Sequence, residues 1–163
     1  MKLSMLFLLI FLAALVACKQ STKNSATEQN RIDSLEQQLA QAYKPGLGEF
    51  MSGIQVHHAK LWFAGQNQNW RLADFEVNEM KEALAAIIKY CSDRPETKNI
   101  NMMNQSMDSI TYSIQQKDFT HFKKSYILLT TTCNNCHQAT SHEFNVIKIP
   151  DSPPFSNQEF KIK

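Results

Sequence analysis

Cys133, Cys136 and His137 stand in the order C-x-x-C-H inside "TTTCNNCHQAT", Thr130 to Thr140. Three chemistries use such a cluster. A dithiol oxidoreductase needs the pair at a helix N-terminus, usually after a strand, where the helix dipole lowers a thiol pKa. Here the pair closes a helical segment, and no β-α-β pattern precedes it. A tetrahedral zinc site needs about four ligands, and Cys133, Cys136, His137 and His142 would supply them. Covalent haem needs two thiols for the two vinyl groups and a following residue that reaches the iron. The spacing meets that demand, with Cys133 and Cys136 as thioethers and His137 as proximal ligand. One covalently attached haem c is the favoured reading, and zinc stays open beside it.

Haem attachment through C-x-x-C-H also needs export, and the first residues supply an independent sign of it. "MKLSMLFLLIFLAALVAC" places Lys2 before an apolar run from Leu3 to Ala17. The run is short for a membrane span and has the shape of a secretory signal. Leu15-Val16-Ala17-Cys18 resembles the lipobox of bacterial lipoproteins. The resemblance implies cleavage after residue 17 and a lipid on Cys18, so the chain would be held at a membrane. Lys19, which is not aspartate, implies by the same resemblance the periplasmic side of the outer membrane. With Cys18 lipidated, three of the four cysteines remain, and two of those form the motif. A disulfide framework therefore fits poorly.

About 145 residues follow the signal, enough for a hydrophobic core. The formal charge is +2, with both signs mixed along the chain and no basic stripe, which argues against a nucleic-acid partner. Residues 18–28 are small and polar and read as a tether. Residues 29–44 carry Ile32, Leu35, Leu39 and Ala42 at helical spacing, a short amphipathic helix that Pro45-Gly46 ends. Four helical segments are expected over 47–142. The first runs from Leu47 to Ala64 and the second from Asn69 to Tyr90. The third, Lys98 to Gln115, carries Ile100, Met103, Met107, Ile110 and Ile114 on one face. The fourth opens on Asp118 as N-cap, carries Phe122, Tyr126, Leu129 and Cys133 on one face, and runs into the motif. The expected fold is all-α, an up-down-up-down four-helix bundle with an extra N-terminal helix. Residues 143–163, with three prolines near their middle, read as an extended tail folded back along it.

Four helices with the haem motif near the end of the last one resemble cytochrome c-prime and its low-spin c-type relatives, over about Leu47 to Thr140. "HHAKLWFAG", "NW" and "CNNCHQA" are also similar to a group of bacterial haem-binding bundle proteins. The resemblance implies that the first bundle helix, "LGEFMSGIQVHHAKLWFAG", lines the other side of the iron. Met51, Ile54, His58, Leu61 and Gly65 share one of its faces. His58 is the first candidate for the distal ligand and Met51 the second, with an open site as the remaining reading. His57 is rotated about 100° away. Trp62 is expected against the macrocycle. Lys60, Gln55 and Arg71 would serve a bound ligand or a propionate.

Two functions follow. With two axial ligands the protein would carry electrons to a redox partner protein, because ligation changes little between Fe(III) and Fe(II). With an open iron it would bind a diatomic gas, NO or CO. No acid–base pair or nucleophile is placed as an enzyme would need. The resemblance also implies a homodimer.

Overall fold

The computed structural model describes residues 25–39, 41, 42 and 45–162. The signal segment, Cys18 and most of the tether lie outside them. The chain divides into two units, one ending at Lys44 and the other beginning at Pro45.

In the first unit, helix α1 covers 25–39. It starts earlier than the tether reading allows, because 25–28 are already helical. Ala26, Glu28 and Gln29 are good helix formers, and Gln29 donates to Asp33 one turn on. Ile32, Leu35 and Leu39 are exposed on it.

The second unit is all helical, and no strand occurs among the described residues. It contains α2 (Leu47–Gln66), α3 (Trp70–Tyr90), a 3-10 helix (Pro95–Met103), α4 (Asn104–Gln115) and α5 (Phe119–Ala139). Helix α2 packs chiefly on α3, and α4 on α5; α3 meets α4, and the 3-10 helix lies on α5. Their apolar faces make one core, with Leu61, Val77, Met80, Ile87, Ile110, Phe122, Tyr126 and Leu129 all fully buried. No helix among the described residues is long and apolar enough to cross a membrane.

The helix ends follow local chemistry. Asn69 accepts from Leu72 N and caps α3, and Asp118 accepts from His121 N and caps α5. Three helices stop in the same way. Gln68, Lys117 and Ser141 adopt φ of 52°, 53° and 60°, two residues beyond α2, α4 and α5. In each case the next N–H reaches back to a carbonyl of the last turn: Asn69 to Ala64, Asp118 to Ser113, His142 to His137. This double closure satisfies carbonyls that a helix end leaves bare.

The segment expected as one helix from Lys98 to Gln115 is divided. Its first part belongs to the 3-10 helix, which opens on Pro95, and only Asn104–Gln115 is α-helical. Beyond α5 the chain is extended and returns along the unit. Phe160 is buried against Phe63, and its carbonyl accepts from Asn69 Nδ2.

Candidate functional site

A cavity of about 340 Å³ opens where α2, the 3-10 helix, the last turns of α5 and the tail meet. Cys133, Cys136 and His137 form one wall, and Met51, Ile54 and His58 another. Leu84 from α3, with Ile100 and Met103 from the 3-10 helix, adds apolar surface. Arg94, Glu96, His142 and Asn145 supply the polar lining. The two cysteines, the histidine of the motif, and both distal candidates therefore share one space.

The register of α2 against α5 explains which α2 residue meets the motif. A Cβ on Gly65 would lie 2.0 Å from the Phe122 ring. About two turns earlier on α2, His58 bonds to Tyr126 and Thr130. The helices thus run antiparallel: as α2 descends from 65 to 58, α5 rises from 122 to 130. Met51 lies a further two turns, about 10 Å, along α2, which puts it level with Cys133 to His137.

His58 is engaged elsewhere. Its Nε2 lies 2.9 Å from Thr130 Oγ1 and its Nδ1 3.0 Å from the Tyr126 hydroxyl. That hydroxyl also donates to the His58 carbonyl, and Thr130 Oγ1 donates to the Tyr126 carbonyl. Burial pushes the His58 imidazole down to about 4, so the ring is neutral at pH 7.

His137 is held differently. Its Nδ1 lies 2.6 Å from the Asn145 carbonyl oxygen. A carbonyl only accepts, so Nδ1 carries the proton, and in the neutral ring Nε2 keeps its lone pair. That is the arrangement seen when a histidine binds a metal through one nitrogen and is oriented through the other.

The thiols do not suit dithiol chemistry. Cys133 and Cys136 are both free. Burial, followed by the neighbouring Cys136 sulfur, raises the Cys133 thiol to about 12, and burial also raises Cys136. A redox nucleophile needs the opposite shift. Among the described residues, no three His, Cys, Asp or Glu side chains gather as a metal-binding group.

Several expected contacts fall elsewhere. Trp62 lies against Tyr126 and Phe122, with ring centroids 4.7 and 6.4 Å apart, and does not line the cavity. Arg71 lines a separate cleft beside Trp70 and Lys161, and Lys60 sits over the Phe155 ring. Gln55 does line the cavity. His57 turns to α3, where its Nδ1 lies 2.7 Å from Glu76 Oε2.

Three features escaped the sequence. Glu76 is a fully buried carboxylate whose Oε1 has no hydrogen-bond partner. Arg94 and Glu96 meet at 2.8 Å on the cavity edge. A hydrogen bond from its own backbone N–H, then Arg94, holds the Glu96 carboxyl below its usual range, while its Oε2 is buried without a partner. The third is which residues of the expected tail reach the cavity: Asn145 and Ile147 line it. No protein-family model, curated protein or solved structure matches this chain.

Proposed function

We propose that the chain is an exported c-type cytochrome that carries electrons. Cys133 and Cys136 would hold one haem as thioethers, and His137 and Met51 would supply the protein's two ligands to its iron. The observation that carries this reading is the shared cavity: Cys133, Cys136, His137 and Met51 all line it, and His137 Nδ1 is taken by the Asn145 carbonyl, which leaves the ring's lone pair on Nε2. Apolar residues from α2, α3 and the 3-10 helix, with charged groups at the edge, suit a flat group with an apolar body and acidic side arms. When bound, the haem supplies a one-electron Fe(III)/Fe(II) couple, so the protein accepts one electron and passes one on. The protein's part is to hold both axial groups in place through the cycle.

Met51 is preferred to His58 because His58 has both ring nitrogens engaged by α5 side chains, whereas Met51 is level with the motif. The reading takes the all-helical unit as a four-helix bundle of the cytochrome c-prime kind, with the antiparallel pair α2 and α5 on either side of the haem. The lipobox resemblance places Cys18 under a lipid and the domain at the periplasmic face of the outer membrane, near a redox partner protein.

The test is optical. The purified protein should stain for covalent haem after denaturation and give a low-spin reduced spectrum that CO leaves unchanged. Met51→Ala should become high-spin and bind CO, while His58→Ala stays low-spin. A haem-free protein sinks the reading. Wild-type protein that binds CO at once supports the second reading, a five-coordinate gas-binding site. The engagement of His58 with Tyr126 and Thr130 favours that alternative if Met51 does not ligate.

A further inference from the structure

The tail is gripped by a residue inside the motif. Asn134, between the two cysteines, donates from Nδ2 to the Ile147 carbonyl at 2.9 Å. Its Oδ1 accepts from the Ile147 N–H at 2.8 Å. A primary amide carries a donor and an acceptor side by side, so it pairs with both backbone groups of one residue, as a neighbouring strand would. Two residues before Ile147, the Asn145 carbonyl accepts from His137 Nδ1. Asn134 and His137 are three apart on α5 and therefore lie on one side of it. Both ends of the segment Asn145 to Ile147 are thus fixed to the same stripe of one helix.

We propose that Asn134 is a positioning residue for His137. It fixes Ile147, and the short segment back to Asn145 then fixes the carbonyl that sets the ring's tautomer and rotation. This rests on the reading of His137 as an axial ligand and deepens it. A carbonyl on Nδ1–H makes the ring a stronger donor through Nε2. Stronger donation stabilises Fe(III) over Fe(II). Releasing the carbonyl therefore favours the reduced state.

The experiment compares wild type with Asn134→Ala and Ile147→Pro. The first removes the amide, and the second removes the tail's N–H without touching the motif. Both should raise the ratio of reduced to oxidised protein at a fixed ambient potential, because the ring loses the outer contact that strengthens its donation. The double variant should shift no further than the larger single shift, since both break one connection. Exchange of the Ile147 amide should be slow in wild type and fast in Asn134→Ala. Haem-bearing variants with the wild-type potential would overturn the positioning role, even if Ile147 exchanges fast. Failure of the axial-ligand reading shows separately, as wild-type protein without haem stain. In that event the ¹⁵N spectrum of the full chain decides: the idea survives if His137 holds the Nδ1–H tautomer in wild type and loses it in Asn134→Ala, and fails otherwise.

Discussion

Tyr126 holds His58 at two points, through the ring nitrogen at 3.0 Å and the backbone oxygen at 2.8 Å, and the two rings stack with centroids 4.5 Å apart. Both residues are buried. With Thr130 they form a polar knot inside an otherwise apolar seam between α2 and α5. A neutral imidazole and two hydroxyls bring three protons to four contacts. The knot is therefore one proton short of full pairing, and it depends on each hydroxyl it has.

Removing one hydroxyl tests that dependence. Tyr126→Phe keeps the ring stack but strips His58 Nδ1 of its partner in a dry place. The expected loss is about 1–3 kcal/mol of unfolding free energy, read from the denaturant midpoint with an unchanged slope. A midpoint equal to wild type would mean that water or another group serves the ring.

The same burial predicts a pH slope. The His58 pKa is about 4 in the folded protein, below its ordinary value of roughly 6.5 in the unfolded chain. Between these values the unfolded state binds more protons, so stability rises with pH. It is full above the unfolded value and falls by about 3 kcal/mol as pH drops through this window. His58→Gln should flatten the curve between pH 4.5 and 6.5. Glu96, whose carboxyl is held low, loses its contribution only below the usual carboxylate range and so acts at lower pH.

Close approach of two helices makes Gly65 sensitive. A Cβ there would meet the Phe122 ring at 2.0 Å, and Phe122 is fully buried, so the ring has nowhere to swing. Gly65→Ala should cost about 1–3 kcal/mol or more. Adding Phe122→Leu should recover part of that loss in a double-mutant cycle. Simple additivity would show that the backbones shift apart instead.

The tail should matter to the core. Phe160 is 5% exposed and packs on Phe63. Phe160→Ala should cost about 3–5 kcal/mol in a thermal or denaturant melt. A variant as stable as wild type would mean that the tail is only laid on the surface.

Much of the helical frame could be read in advance because its signals are local. Asn69 and Asp118 bond to N–H groups three residues on, a distance the sequence displays. The division of Lys98 to Gln115 could not be read from its apolar spacing. Ile100 and Met103 are three apart, and that step keeps residues on one side in both a 3-10 and an α-helix. Buried Glu76 was hidden because a lone carboxylate on an amphipathic helix looks solvated, and only the facing His57 changes that. His58 and Tyr126 were each visible on an apolar face. Their pairing depends on the register of α2 on α5, set by Gly65 against Phe122, and such a register leaves no mark in spacing. Phe160 follows four polar residues in a tail without helical spacing, so no periodicity announced it.

The bond from Asn69 to the Phe160 carbonyl joins residues 91 apart in sequence. Between the end of α5 and Phe160 the chain is therefore a strap with an anchor at either end, and Asn145 and Ile147, which line the cavity, lie within it. Releasing the Phe160 anchor frees a longer stretch of chain, and the entropy it regains grows with that length. The hold on one cavity wall is thus set in part by a contact that does not touch the cavity.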